Sequence, residues 1–190
     1  MERVELSNMN WIEKEDKKYS ELYESGYPSG NPEGMYNWSD PKVKSSERTL
    51  DLGCGLATLK TKFTDYVGVD VSEFVIERNK KKYPDTEFYH SSLDNLGFLQ
   101  EEKFVNAFCC DVMEHIPEEY VGKVLFSISE LNVCRYFFGI STRPSGILDS
   151  QGGNLHLTVQ DFDWWNAELK EYFDVVRFKK LKDLIYFEVK

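Results

Sequence analysis

Thr49-Leu50-Asp51-Leu52-Gly53-Cys54-Gly55-Leu56-Ala57 constrains the fold more than any other stretch of the chain. A short apolar run carrying one acid stops at Gly53 and Gly55, and a segment of helical period follows from Thr58 to Thr64. Val67-Gly68-Val69-Asp70 is a second apolar run that again ends in an acid. Strand, glycine turn, helix, strand and acid in that order describe a right-handed crossover unit. Such a unit puts the turn and the final acid together at one edge of a parallel sheet, where nucleotides bind.

The alternation continues. Thr49–Leu52 and Tyr66–Val71 predict the first two strands, and Ser72 is placed to cap a helix running to Lys82. Glu87–His90, Phe104–Cys110 and Arg135–Ser141 predict three more, with a helix over about 117–131 before the last. A polar loop with glycines spans Arg143–Asn154. Thr158 then opens a helix to about Tyr172, with Asp161 three residues on as a partial capping box. Asp174–Phe178 and Leu184–Val189 flank a basic turn and read as a hairpin. The expectation is an α/β three-layer αβα sandwich with one mixed sheet. Residues 1–190 make one domain, with its core over 49–190. Residues 1–48 form a polar extension containing a helix over Trp11–Glu24 and a Pro/Gly loop over 26–34, either a strap packed on the domain or a lid over a ligand.

Bulk chemistry removes several function classes. A formal charge of −10 argues against nucleic acid as partner, because tracking phosphates takes a basic face. Lys80 to Lys82 and Lys179 to Lys182 read as solvated faces. No apolar stretch is long enough to span a membrane, and no apolar signal core stands at the N-terminus. Cys54, Cys109, Cys110 and Cys134 are scattered and mostly inside apolar runs, which fits reduced thiols in the cytoplasm. Oligomeric state stays open.

The residues at the turn select among nucleotides. A dinucleotide fingerprint needs a third glycine at position 58, where Thr58 stands, and its pyrophosphate disfavours a carboxylate beside the turn. Asp51 suits a ligand carrying positive charge, an ammonium or sulfonium group. Asp70 is placed to accept both hydroxyls of an unphosphorylated ribose. An adenosine with a cationic amino-acid tail, S-adenosyl-L-methionine, meets all three conditions. The Gly-Lys-Ser/Thr of a phosphate-binding loop is absent.

With Asp51-Leu52-Gly53-Cys54-Gly55 and Gly68-Val69-Asp70-Val71-Ser72 in order, the chain resembles the class I S-adenosylmethionine-dependent methyltransferase superfamily from about Thr49 to its end. Asp111-Val112-Met113-Glu114-His115-Ile116 is similar to the segment after the fourth strand in small-molecule members, and His156 with Phe162, Trp164 and Phe173 to their C-terminal region. The resemblance implies a Rossmann-like sheet of seven strands, the last antiparallel. It implies a methionine site at Asp51, Gly53, Cys54 and Gly55, a ribose site at Asp70 and Val71, and an adenine segment at Ser92, Leu93 and Asp94, with Asp111 at the cofactor's edge. In four places the chain departs from the pattern. Ala57 replaces a frequent third glycine, the helix after the turn is about one turn short, and the usual adenine acid aligns with Ser92, with Asp94 two residues on. The acid often found early in the fourth strand is also missing, since Val105-Asn106 stands there.

Methyl transfer is an in-line displacement, for which alignment and exclusion of water matter most. Three candidates for a catalytic role stand out. His115 titrates near neutral pH, Glu114 precedes it, and His156 follows the polar loop. On a helix, Asp111, Glu114 and His115 would share one face. The competing reading makes Glu114 and His115 helix caps or backbone ligands and His156 a hinge. Tyr27 and Arg143 are candidates for holding the acceptor, Arg143 by a bidentate grip on an acid. The leading function is methyl transfer to a small metabolite or sugar-like acceptor, with no residue assigned to a metal and the need for one left open. The first alternative is a metal-dependent RNA 3′-end methyltransferase in which Asp111, Glu114, His115 and His156 hold Mg²⁺ or Mn²⁺. The net charge and the lack of a second histidine near His115 stand against it. The second alternative is a non-catalytic S-adenosylmethionine-binding protein.

Overall fold

Period-two burial along five strands builds a sheet with two apolar faces. Leu50 and Leu52, Val67 and Val69, Ala107 and Cys109, Phe138 and Ile140, and Phe187 and Val189 lie in one core cluster. Tyr66, Phe108, Phe137 and Tyr186, which alternate with them, lie in the other. A sheet buried on both sides must be covered by helices on both sides. The computed structural model describes residues 9–28, 32–39 and 43–190.

The strands are β1 (Thr49–Leu52), β2 (Tyr66–Asp70), β3 (Glu87–His90), β4 (Lys103–Cys110), β5 (Asn132–Ser141), β6 (Val175–Lys180) and β7 (Leu184–Val189). They form one 7-stranded sheet in the order β3-β2-β1-β4-β5-β7-β6. β1 to β5 are parallel, and β7 runs antiparallel to both β5 and β6. The helices are α1 (Trp11–Glu24), α2 (Glu33–Trp38), α3 (Glu73–Lys82), α4 (Glu118–Ser129) and α5 (Phe162–Lys170). Val121, Leu125 and Ile128 of α4 and Trp165 and Leu169 of α5 fill the first core. Val75 and Ile76 of α3, Met35 of α2 and Tyr23 of α1 fill the second. The expected αβα sandwich with an antiparallel last strand is what forms.

Local chemistry sets the helix starts. Ser72 Oγ accepts the Val75 N–H, and Asn10 with Glu13 completes a capping box for α1. α5 starts later than its sequence suggests. Asp161 caps it by accepting the Trp164 N–H at 3.0 Å, while the Thr158 hydroxyl is already donated to Ile116 O at 2.6 Å. The segment after the glycine turn is a 3-10 helix over Thr58–Lys62, shorter than expected. Ala57, in front of it, has a left-handed backbone with φ 53°, the conformation a glycine adopts at no cost.

The lower edge of the sheet is tied by ion pairs of Arg48 with Asp65, Glu87 and Glu102. Asn106, where an acid was expected, is buried and donates to Glu47 and Thr49 while accepting from Arg135. The upper edge, where β1, β2, β4 and β5 end, is left for the site.

Candidate active site

The first strand ends in a turn that only glycine fits. Gly53 has φ +74°, and a Cβ there would stand 2.4 Å from Val112 Cγ2. Val112 lies after β4, so the turns following β1 and β4 touch. Asp70 closes the β2 end, with its Oδ2 accepting the Gly55 N–H at 2.8 Å and its Oδ1 the Ser72 N–H at 2.9 Å. Asp111 continues the rim with a left-handed backbone, φ 51°, an uncommon state for a non-glycine residue and one that clusters at functional sites.

These rims surround a pocket of about 770 Å³ of empty space, the solvent at its mouth included. Of the residues named from sequence, Gly53, Asp70, Val71, Ser92, Leu93, Asp111, His115 and Tyr27 line it. The others sit off the wall. Asp51 is buried beneath the turn, accepting the Tyr66 hydroxyl at 2.6 Å, and burial raises its pKa to about 7. Cys54 is buried, and Gly55 is engaged by Asp70 and by the Asn79 amide at 2.7 Å. Asp94 pairs with Lys123 at 2.7 Å, leaving Ser92 as the member of that pair on the wall. Arg143 is exposed and donates to Pro144 O.

The fourth wall comes from the extension. Trp11, Glu15, Tyr19, Tyr23 and Tyr27 line the pocket, four of them on one face of α1 at spacings of four. Asp16 fixes that helix to the β2–β3 edge, accepting the Glu73 N–H at 3.0 Å and lying 3.4 Å from His90 Nε2. Ser20 meets Ser72 at 3.0 Å, and Trp11 stacks on Tyr120. Tyr19 brings its hydroxyl to 2.6 Å from His115 Nδ1. Sequence reasoning left Trp11, Glu15, Tyr19 and Tyr23 out of the site, although their spacing of four was visible.

Glu114 and His115 sit in a 3-10 turn over Met113–His115, not on a helix face. Both bind backbone and neither caps α4. Glu114 is fully buried, its Oε1 accepting the Ser141 N–H at 3.0 Å. Burial, with Asp111 nearby, raises its pKa to about 8. His115 Nδ1 lies 2.9 Å from Leu155 O, and burial lowers its pKa to about 3. A ring so easily deprotonated is a weak proton acceptor, which counts against the expected base near neutral pH. His156, nominally remote, packs edge-on against His115 with ring centroids 4.8 Å apart. The loop is sewn there by Leu157 and Thr158 N–H groups donating to Glu114 O. The second histidine that seemed to be missing beside His115 is therefore His156.

Residues 49–131 match the model of a family described as a methyltransferase domain. No curated protein matches the chain. Among solved structures, the fold is similar to a protein from Pyrococcus horikoshii OT3, with TM-score 0.68 and 16% identity over 84% of this chain and 88% of that one. It is similar to an S-adenosylmethionine-dependent methyltransferase from Mesorhizobium loti, with TM-score 0.63 and 14% identity over 83% and 95%. It is also similar to magnesium protoporphyrin IX methyltransferase from Synechocystis PCC 6803 with bound SAH, with TM-score 0.63 and 15% identity over 96% and 87%. Identities this low speak for the fold, and among the described residues no helix is long and apolar enough to cross a membrane.

Proposed function

We propose that the chain is a class I S-adenosylmethionine-dependent methyltransferase, a reading that the methyltransferase-domain match over residues 49–131 supports, and that its pocket binds that cofactor at Asp70 and passes the methyl group to a small-molecule acceptor under α1. The residues present fit the cofactor. Asp70 offers a buried carboxylate to ribose hydroxyls, Val71 and Leu93 offer apolar contact to the adenine with Ser92 beside them, and Gly53 lets the methionine part approach the backbone. S-adenosylmethionine supplies an electrophilic methyl on sulfonium. Asp51 lies beneath the turn without touching the pocket, its carboxyl held neutral by burial until the pH approaches about 7, and Cys54 and Gly55 keep the turn in shape.

The observation that carries the acceptor class is the lining itself. Aromatic and acidic side chains surround the space, and among the described residues no lysine or arginine lines it. A polyanion would find no counter-charge there, whereas a compact acceptor is enclosed by Trp11, Tyr19, Tyr23 and Tyr27. α1 then acts as a lid that excludes water and helps align the acceptor. Four cysteines with no disulfide among them fit a reducing compartment, the cytoplasm.

Calorimetry with S-adenosylmethionine, followed by detection of S-adenosylhomocysteine over a panel of small hydroxyl, amine and thiol acceptors, tests the reading. Binding in the micromolar range and turnover with a small acceptor are expected. No binding at millimolar cofactor removes the enzyme reading, and methylation of RNA 3′ ends in preference to small acceptors overturns the acceptor class.

A further inference from the structure

Tyr19, Tyr23 and Tyr27 line the pocket with their rings crossed. Tyr27 meets Tyr23 at 76° with ring centroids 5.5 Å apart, and Tyr19 at 63° with centroids 6.4 Å apart. Rings crossed at such angles form the sides of a box. A box of this kind offers π density from several directions, which is how proteins enclose ammonium groups. The carboxylates of Glu15 and Asp111 line the same space, and among the described residues no lysine or arginine does.

The surroundings of the box favour positive charge. Burial raises the pKa of the Tyr27 phenol, and Asp111 and Glu114 push it the same way. Burial, followed by the charge of Glu15, raises that of Tyr19. The fold itself supplies a precedent. Lys18, which is not on the lining, pairs with Glu15 Oε2 and holds its Nζ 4.9 Å from the Tyr19 ring centroid. One ammonium therefore already rests between a carboxylate and a tyrosine ring of this wall. Tyr23, Tyr27 and Asp111 offer the same two kinds of group to a ligand. None of the residues assigned to the cofactor lies on α1.

We infer that the tyrosine box captures the acceptor as an ammonium ion, and that the acceptor is a small amine methylated at nitrogen. The transfer rests on the methyl-transfer reading, whereas the capture of a cation does not. The bound R–NH₃⁺ first releases one proton to solvent at the pocket mouth. The nitrogen lone pair then forms the N–C bond to the methyl carbon while the S–C bond breaks and its electron pair stays on sulfur. The products are R–NH₂⁺–CH₃ and S-adenosylhomocysteine, whose sulfur is neutral. The positive charge that leaves the cofactor thus appears on the product nitrogen, inside the box. An alcohol or thiol of equal size gains nothing from the rings' charge preference.

The cofactor's sulfonium is the rival cation for the box, and S-adenosylhomocysteine lacks it. The full chain is therefore titrated by calorimetry, with and without saturating S-adenosylhomocysteine. The probes are choline, whose nitrogen has no lone pair to react, and the uncharged alcohol in which a quaternary carbon replaces that nitrogen. Choline should bind at least about tenfold more tightly than the alcohol. Tyr27→Leu should remove most of that preference and Tyr27→Phe, which keeps the π face, should retain it, with the melting transition showing that each variant is folded. With S-adenosylmethionine, butylamine should be methylated in preference to butanol. A chain that binds S-adenosylhomocysteine but does not distinguish choline from the alcohol overturns the box and leaves the methyl-transfer reading. A chain that prefers choline but binds neither form of the cofactor leaves the box and removes the transfer. An undiminished preference in folded Tyr27→Leu overturns the assignment to the tyrosines, and methylation of butanol in preference to butylamine overturns the amine acceptor.

Discussion

Asp70 accepts the Gly55 N–H at 2.8 Å, so the acid that ends the second strand holds the glycine turn that ends the first. Its other oxygen takes the Ser72 N–H at the start of α3. The proposed ribose anchor is therefore also a structural clamp. In Asp70→Asn one oxygen becomes a donor, and one of the two backbone groups loses its acceptor. Cofactor affinity should fall by about tenfold or more, and stability by about 1–3 kcal/mol. Calorimetry and denaturant unfolding on the same sample separate the two effects. Unchanged affinity in the folded variant would remove Asp70 from the ribose site.

Asp51 supplies the pH dependence. Burial raises its pKa from 3.8 to about 7, against which the Tyr66 hydrogen bond pulls only partly. A raised folded-state pKa means that the native form holds the proton more tightly than the unfolded chain. Its contribution is fully present below about pH 4 and is lost as pH rises through about 7. Asp51→Asn keeps an acceptor for Tyr66 and removes the ionisation. Relative to the parent, the variant should gain on the order of 1–3 kcal/mol between pH 4 and pH 8. Thermal melts across that range check it, and parallel curves for the two proteins would contradict the shift.

How much of this was legible depended on sequence distance. Gly53, Asp70 and the strand ends follow from local pattern, and the sheet order follows from right-handed crossovers. Thr158 looked like a cap because a hydroxyl before a helix usually caps. Here that hydroxyl serves Ile116, and the next acid, Asp161, takes over. Ala57 looked like an added methyl, but its φ of 53° makes it a backbone cost as well. The meeting of His156 with His115 was not legible, because it depends on Leu157 and Thr158 pairing with Glu114 O across a loop. Nothing in local composition encodes that register.

Gly53 and Val112 should behave as a coupled pair. Gly53→Ala puts a Cβ 2.4 Å from Val112 Cγ2 and 3.0 Å from Cγ1, on a backbone with φ +74°. The left-handed backbone alone costs about 1–2 kcal/mol. Val112 must also shift, disturbing the wall beside Asp111. Unfolding and cofactor calorimetry should both show the loss. Adding Val112→Ala removes the two methyl groups that clash and should recover part of it, so the double variant is less impaired than the sum of the singles. Strict additivity would mean that only the backbone matters.

Tyr19 tests whether α1 is a lid or a strap. Its ring lines the pocket, and its hydroxyl sits 2.6 Å from His115 Nδ1. A strap is protected from hydrogen exchange to the same degree with and without ligand. A lid is drawn from the less stable end of the fold, so its amides gain protection when the pocket fills. S-adenosylmethionine should therefore slow exchange over Trp11–Glu24, while the buried β4 and β5 amides change little. Tyr19→Phe keeps the ring and removes the hydroxyl that pairs with His115 Nδ1. It should reduce the ligand-dependent protection of α1. Equal protection of α1 with and without cofactor would make the helix a strap and leave the acceptor pocket without a moving wall.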